Sequence, residues 1–146
     1  MRSFQETRIM PYDAGLIYNI VMDIEKYPQF LPWCSSAVIL SKNEEYLTAK
    51  LVVEFKNFSE SYVSKVFSHQ TSEGYDIEVQ AISGPFRYLR NIWQIKSLNN
   101  ASEVKFSIDF EFKSIIMDIL IGIVFSTATE KMIVAFEARA KELSIN

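Results

Sequence analysis

The sequence holds a single cysteine, Cys34, and a single histidine, His69, among its 146 residues. An internal disulfide is therefore excluded, and the lone thiol suits a reducing compartment. Metal sites draw on three or four Cys, His or carboxylate ligands at characteristic spacings. Neither HExxH nor CxxC occurs, so no metal is expected. Phosphate-cradling glycine loops are missing as well, which argues against a nucleotide cofactor. Basic residues are in deficit, 15 against 18 acidic ones, for a net charge of −3. A general nucleic-acid binder is usually basic, so DNA is not an expected partner. With 4 glycines and 4 prolines, the chain is neither collagen-like nor composed as a disordered segment. Met1–Glu6 has no apolar core of the kind a secretory leader carries. The apolar stretch Ile115–Phe125, broken by Asp118 and Gly122, falls well short of the roughly 20 residues of a bilayer span. A soluble, cytoplasmic protein, at most peripheral to the inner membrane, is expected.

What the chain has in abundance is aromatic surface: 11 Phe, 7 Tyr and 2 Trp. A single domain spanning residues 1–146 is expected, since a chain of this length buries roughly 70% of its unfolded surface. Residues 3–9 read as a strand, broken at Met10-Pro11-Tyr12. Asp13 is a candidate N-cap for Leu16, Ile17, Ile20, Val21 and Ile24 at helical spacing. Pro28 and Pro32 cut that signal short, predicting two short helices over 13–22 and 24–30. From Cys34 the period becomes two, with strands over 35–42, 46–56, 58–69, 74–82, 86–97 and 102–113. The clearest is the last, where Val104, Phe106, Ile108, Phe110 and Phe112 alternate with charged or small polar residues. Short connections imply antiparallel hairpins. Ser114 can cap a long helix over 115–142. Its first half is apolar almost all round, which predicts deep burial or contact with something apolar. Strands in a run with segregated helices make an α+β fold. Only the last helix, about 42 Å long at 1.5 Å per residue, can cover a meander of this size. A curved sheet wrapped on such a helix tends to leave a cavity.

Four segments carry a family resemblance: Tyr18–Cys34 with its Tyr-Pro-x-Phe-Leu-Pro-Trp-Cys word, Tyr62–Val66, Gly84–Trp93 opening on Gly-Pro-Phe, and Phe110–Ser114 before the long helix. In order and spacing the chain resembles the coenzyme Q-binding START-domain family, which is polyketide cyclase-like and includes the ribosome-association toxins. The resemblance implies a helix-grip, START/Bet v 1-like fold: a curved seven-stranded antiparallel sheet around a long C-terminal helix. It also implies a polyprenyl quinone, ubiquinone, held as bound ligand and not as a catalytic cofactor, for respiration or quinone biosynthesis. Peripheral membrane contact would go with such a ligand. The alternative is binding to the large ribosomal subunit and a block of subunit joining.

The residues themselves speak for binding and against catalysis. Cys34 needs a base to act as a nucleophile, and nothing places His69 beside it. The acidic pairs Asp76/Glu78 and Asp109/Glu111 fall on polar strand faces and read as solvated. No catalytic residue is expected. Small-molecule pockets are largely apolar and aromatic, and the inward stripes supply such a lining. The expected ligand-binding set is Leu51, Val53, Phe55, Phe58, Tyr62, Phe86, Leu89, Trp93, Phe106, Phe110 and Phe112 from the strands, Leu120 and Val124 from the helix, and Phe30, Leu31 and Trp33 from the stiff loop. Each aromatic also has a plainer reading as core, and the loop 29–33 as a plug for one end of the sheet. Lys42, Lys50, Lys56, Lys65, Arg87 and Arg90 point outward by parity, as a solvated face or a patch for phosphate.

Overall fold

A computed structural model describes residues 1–55 and 58–144. Lys56, one of the expected outward lysines, lies outside the described residues. Strand β1 spans Arg2–Met10 and is followed by helix α1, Ala14–Met22, and a 3₁₀ helix, Ile24–Gln29. Six strands follow: β2 Cys34–Lys42, β3 Leu47–Phe55, β4 Phe58–Gln70, β5 Gly74–Ser83, β6 Phe86–Leu98 and β7 Ala101–Phe112. Helix α2, Ile115–Ser144, ends the chain.

The seven strands form one antiparallel sheet in the order β1-β7-β6-β5-β4-β3-β2. Consecutive hairpins build most of it, and β1 closes on the last strand, with Arg2 opposite Phe110 and Met10 opposite Ser102. The sheet is the curved, helix-gripping sheet expected. On β7 the alternation is realised directly: Ser102, Val104, Phe106, Phe110 and Phe112 are buried. Local chemistry sets the helix starts. The Gly15 amide donates to Asp13 Oδ2 at 3.0 Å, and the Met117 amide to Ser114 Oγ at 3.2 Å. Each satisfies a backbone donor that the first turn leaves free.

Two apolar clusters occupy the concave side. The larger joins α1 to the sheet and to the C-terminal half of α2, through Met10, Ile17, Trp93, Phe106, Ile133 and Phe136. The smaller gathers Leu89, Phe110 and Phe112 with Met117, Ile121 and Phe125. The halves of α2 thus differ. Its buried residues, Thr129, Ile133, Phe136 and Ala140, follow one stripe of its second half. The first half is not deeply buried: Ile115, Ile116, Ile119, Leu120 and Ile123 are exposed. A helix apolar on all sides can give only one side to the sheet, so the rest faces outward. At the junction, the Thr129 hydroxyl reaches the carbonyls of Phe125 and Ser126, both at 3.0 Å. Such back-bonding is a known cause of helix bending.

Candidate functional site: a row of voids under the long helix

Three voids lie end to end between sheet and helix. The inner chamber, about 690 Å³ with its share of open solvent, is bounded by Leu31, Leu51, Tyr62, Leu89 and Trp93, with Tyr27, Ser64, Asn91 and Phe136. The middle chamber, about 610 Å³ with its share of open solvent, is bounded by Trp33, Val53, Phe55, Phe58, Tyr62, Phe86, Phe112 and Val124. The outer groove, about 1230 Å³ with its share of open solvent, lies among Phe55, Phe58, Ile116, Leu120, Ile123 and Val124. Tyr62 borders both inner and middle chambers. Phe55, Phe58, Ile121 and Val124 border both middle chamber and groove.

Thirteen of the expected ligand-binding residues therefore face these spaces. Phe30, Phe106 and Phe110 line none of the three. Phe106 lies behind the wall, edge-on to Trp93 at 4.9 Å and to Phe4 at 6.3 Å. Phe110 is buried against Phe125 at 4.6 Å and supports Phe86 and Phe112. Phe30 meets Phe136 and Tyr27, with the Arg139 guanidinium over its ring at 5.2 Å. Parity assigned a face to the strand residues but not their depth beneath it. Ser64 and Asn91 went unnoticed, although they share the inward parity of Tyr62 and Trp93.

The loop residue Trp33 has φ of 65°, a left-handed conformation rare for a bulky side chain. Its carbonyl accepts the Glu54 amide at 2.8 Å, and its ring stands edge-on to Phe55 at 5.2 Å. Local strain is thereby held by β3, and the indole is kept on the chamber wall. Gly84, with φ of 116°, allows the turn before β6 to touch Tyr62: a Cβ there would lie 2.5 Å from the Tyr62 Cβ. Phe86 then meets the Tyr62 ring at 5.2 Å.

The polar groups of the inner chamber are few. Asn91 Nδ2 donates to the Ser107 carbonyl at 2.8 Å, and Asn91 Oδ1 accepts the Trp93 indole N–H at 3.1 Å. The Tyr27 hydroxyl donates to the Val21 carbonyl. Burial raises the pKa of Tyr27 and pushes that of Tyr62 up to about 12. Burial also raises the Cys34 thiol, with a smaller opposing effect from a backbone hydrogen bond of Ser36. An activated thiol would need the opposite shift. His69 is exposed and faces Asp76 at 3.5 Å on the convex side. Glu78 pairs with Arg90 at 3.0 Å, and Arg87 with Glu111 at 4.0 Å. Lys65 covers the Tyr46 ring at 4.6 Å. The outward cations are thus partly engaged, with Lys42 and Lys50 exposed beyond them. Among the described residues, no group of three or more His, Cys, Asp or Glu is placed to hold a metal ion.

By length and composition α2 could cross a membrane. Its second half instead supplies Ile133, Phe136 and Ala140 to the main core, as a core helix does.

Comparison with known proteins places this architecture. The chain is 49% identical over 144 residues, 98% of its length and 99% of the relative's, to a protein named ribosome association toxin RatA from Rickettsia prowazekii. It is 26% identical over 142 residues to coenzyme Q-binding protein COQ10 homolog B of Xenopus laevis, covering 94% of this chain and 57% of that one. The fold matches the Zhui aromatase/cyclase of a Streptomyces species with a TM-score of 0.82 and 14% identity, over 96% of this chain and 93% of that one. A family match over residues 10–137 shows that the chain, with its helix-grip fold, belongs to the polyketide cyclase/dehydrase and lipid transport family.

Proposed function

We propose that this protein holds a polyprenyl quinone in the row of voids and carries it, without turning it over, for respiration or quinone biosynthesis. One observation carries the reading: two chambers and a groove share walls and lead from the core to the exposed start of α2. Such a shape suits a long apolar tail behind a compact head, and a lining of this kind is typical of small-molecule sites. The relative named as a coenzyme Q-binding protein supports the same ligand class. A quinone of this kind resides in lipid, so the carrier must meet a bilayer. The apolar face around Ile116, Ile119 and Ile123 adjoins the groove and supplies that contact. The absence of catalysis rests on the raised Cys34 thiol and on inner-chamber amide and indole groups already committed to each other.

A second reading is association with the large ribosomal subunit, favoured by the name of the 49% identical relative. The two are separable. Protein purified from its own cells is extracted with organic solvent for mass spectrometry, and the same lysate is sedimented through sucrose. Stoichiometric polyprenyl quinone, retained in Cys34→Ser and His69→Ala, is the expected result. An empty protein travelling with the large subunit, and released by salt as phosphate contacts are, overturns the carrier reading in favour of the second.

A further inference from the structure

The voids differ in chemistry along their length. Polar side chains gather at the inner end, at Tyr62, Ser64 and Asn91. The middle chamber presents only apolar surface. The groove beyond it is lined by Ile116, Leu120 and Ile123, with Phe55 and Phe58 opposite.

At the inner end, asparagine and indole satisfy each other, and Tyr27 is bound to backbone. The Tyr62 hydroxyl has no hydrogen-bond partner among the described residues. It is close enough to the Tyr27 phenol for the charge of one to disfavour ionisation of the other. A phenol is protonated throughout the physiological range, and burial moves its ionisation further away, so it is a donor. Among the described residues the buried side-chain oxygens without a partner are Glu6 Oε2 and Ser102 Oγ, so the Tyr62 hydroxyl keeps open surface on the chamber wall, where a ligand acceptor adds a hydrogen bond.

We propose that the ligand enters head first: a carbonyl oxygen of the quinone head accepts from the Tyr62 hydroxyl in the inner chamber, and the tail runs through the middle chamber into the groove beneath α2. The ligand class is thereby narrowed to amphiphiles with a hydrogen-bond-accepting head and an apolar tail. The inference rests on the carrier reading above.

The two tryptophans divide the space between them. Trp93 borders the inner chamber and Trp33 the middle one. A benzoquinone head quenches indole fluorescence only at short range, so each tryptophan reports on its own chamber. The probe is a decyl-substituted benzoquinone, titrated into Trp33→Phe, which leaves Trp93, and into Trp93→Phe, which leaves Trp33. Retention is measured on each by equilibrium dialysis. Should Trp93→Phe fail to fold, the wild-type signal less that of Trp33→Phe gives the Trp33 response.

Strong quenching of Trp93 with little change at Trp33 is expected. Tyr62→Phe should then bind the quinone about five- to tenfold more weakly, as loss of one hydrogen bond implies. It should hold decylbenzene, which has no carbonyl, as well as the wild type does. Quenching confined to Trp33, or retention without quenching of either indole, overturns the head-first orientation and leaves the carrier reading standing. Equal quinone affinity in Tyr62→Phe removes the hydroxyl from the site and overturns the proposal. Failure of the wild type to retain the probe in dialysis overturns the carrier reading and the orientation with it.

Discussion

Tyr62, proposed above as the hydrogen-bond donor to the ligand head, also carries a pH-dependent share of the stability. Its phenol is pushed from the ordinary value of 10.0 up to about 12, mainly by burial and secondarily by the negative charge of the nearby Cys34 thiolate. A raised tyrosine pKa means that the folded state holds its proton where the unfolded chain releases it. The associated stability is complete below about pH 10 and is lost as pH climbs through about 12. Denaturant midpoints measured across this range should fall less steeply in Tyr62→Phe than in the wild type, with parallel behaviour below it. Identical alkaline slopes would mean that the phenol ionises as freely in the folded protein as in the unfolded one. Tyr27, shifted upward as well, still loses its share in both proteins. Chain position alone hides this role. Alternation gives Tyr62 an inward face, but its place between two chambers depends on the turn at Gly84, which allows the backbone to approach it.

Among the elements, α2 separates stability from exposure most sharply. Phe136 is 4% exposed and touches Trp93, Tyr27 and Phe30, from the sheet, the 3₁₀ helix and the loop after it. Truncation of such a side chain leaves a cavity as well as losing its transfer free energy. Phe136→Ala should therefore cost about 3–5 kcal/mol. Ile115, on the same helix, is 77% exposed, and Ile115→Ala should change stability by less than about 0.5 kcal/mol. Urea unfolding of both variants checks the contrast, and comparable losses would mean that the first half of α2 is buried in solution. The same helix marks how far the sequence could be read. Strand faces were legible because alternation of period two has only two solutions, as on β7. The buried stripe of the second half of α2 was legible from charges opposite it: Glu130, Lys131, Glu137 and Lys141. Residues 115–125 carry too few charges to select a face, so their exposure could come only from the shape of the sheet. Only one side of that half meets the sheet, through Met117, Ile121 and Phe125, and the depth of Phe106 and Phe110 follows from the pairing of β7 with β1 across most of the chain.

At the scale of the whole molecule, an acidic protein is proposed to approach a bilayer. A net charge of −3 opposes anionic lipid, so attraction by charge is not the means. Near the patch, Arg2 is engaged with Asp118 at 3.3 Å, which takes one cation and one anion out of play. Its guanidinium crosses α2 at Gly122, where a Cβ would come within 2.1 Å of it, and so ties β1 to the apolar half of the helix. What remains facing outward is apolar: Ile116 at 73%, Ile119 at 56% and Ile123 at 77% exposure. Exposed apolar surface of this extent beside a cavity mouth marks a contact with lipid or a partner. Insertion of a few such side chains, each worth about 1.5–3 kcal/mol when fully buried, gives weak and reversible adsorption once the cost of association is met. Adsorption driven in this way should be at least as strong on zwitterionic vesicles as on anionic ones, and added salt should leave it unchanged or strengthen it on the latter. In co-sedimentation the wild type should partition measurably, and the Ile116→Asp/Ile119→Asp variant should stay in the supernatant with its unfolding midpoint intact. A wild type that never sediments, or a variant that sediments equally, removes lipid from the patch. Sedimentation equilibrium then identifies the remaining occupant: a two-chain mass in the wild type that the double variant reduces to one would assign the same isoleucines to a second copy of the chain.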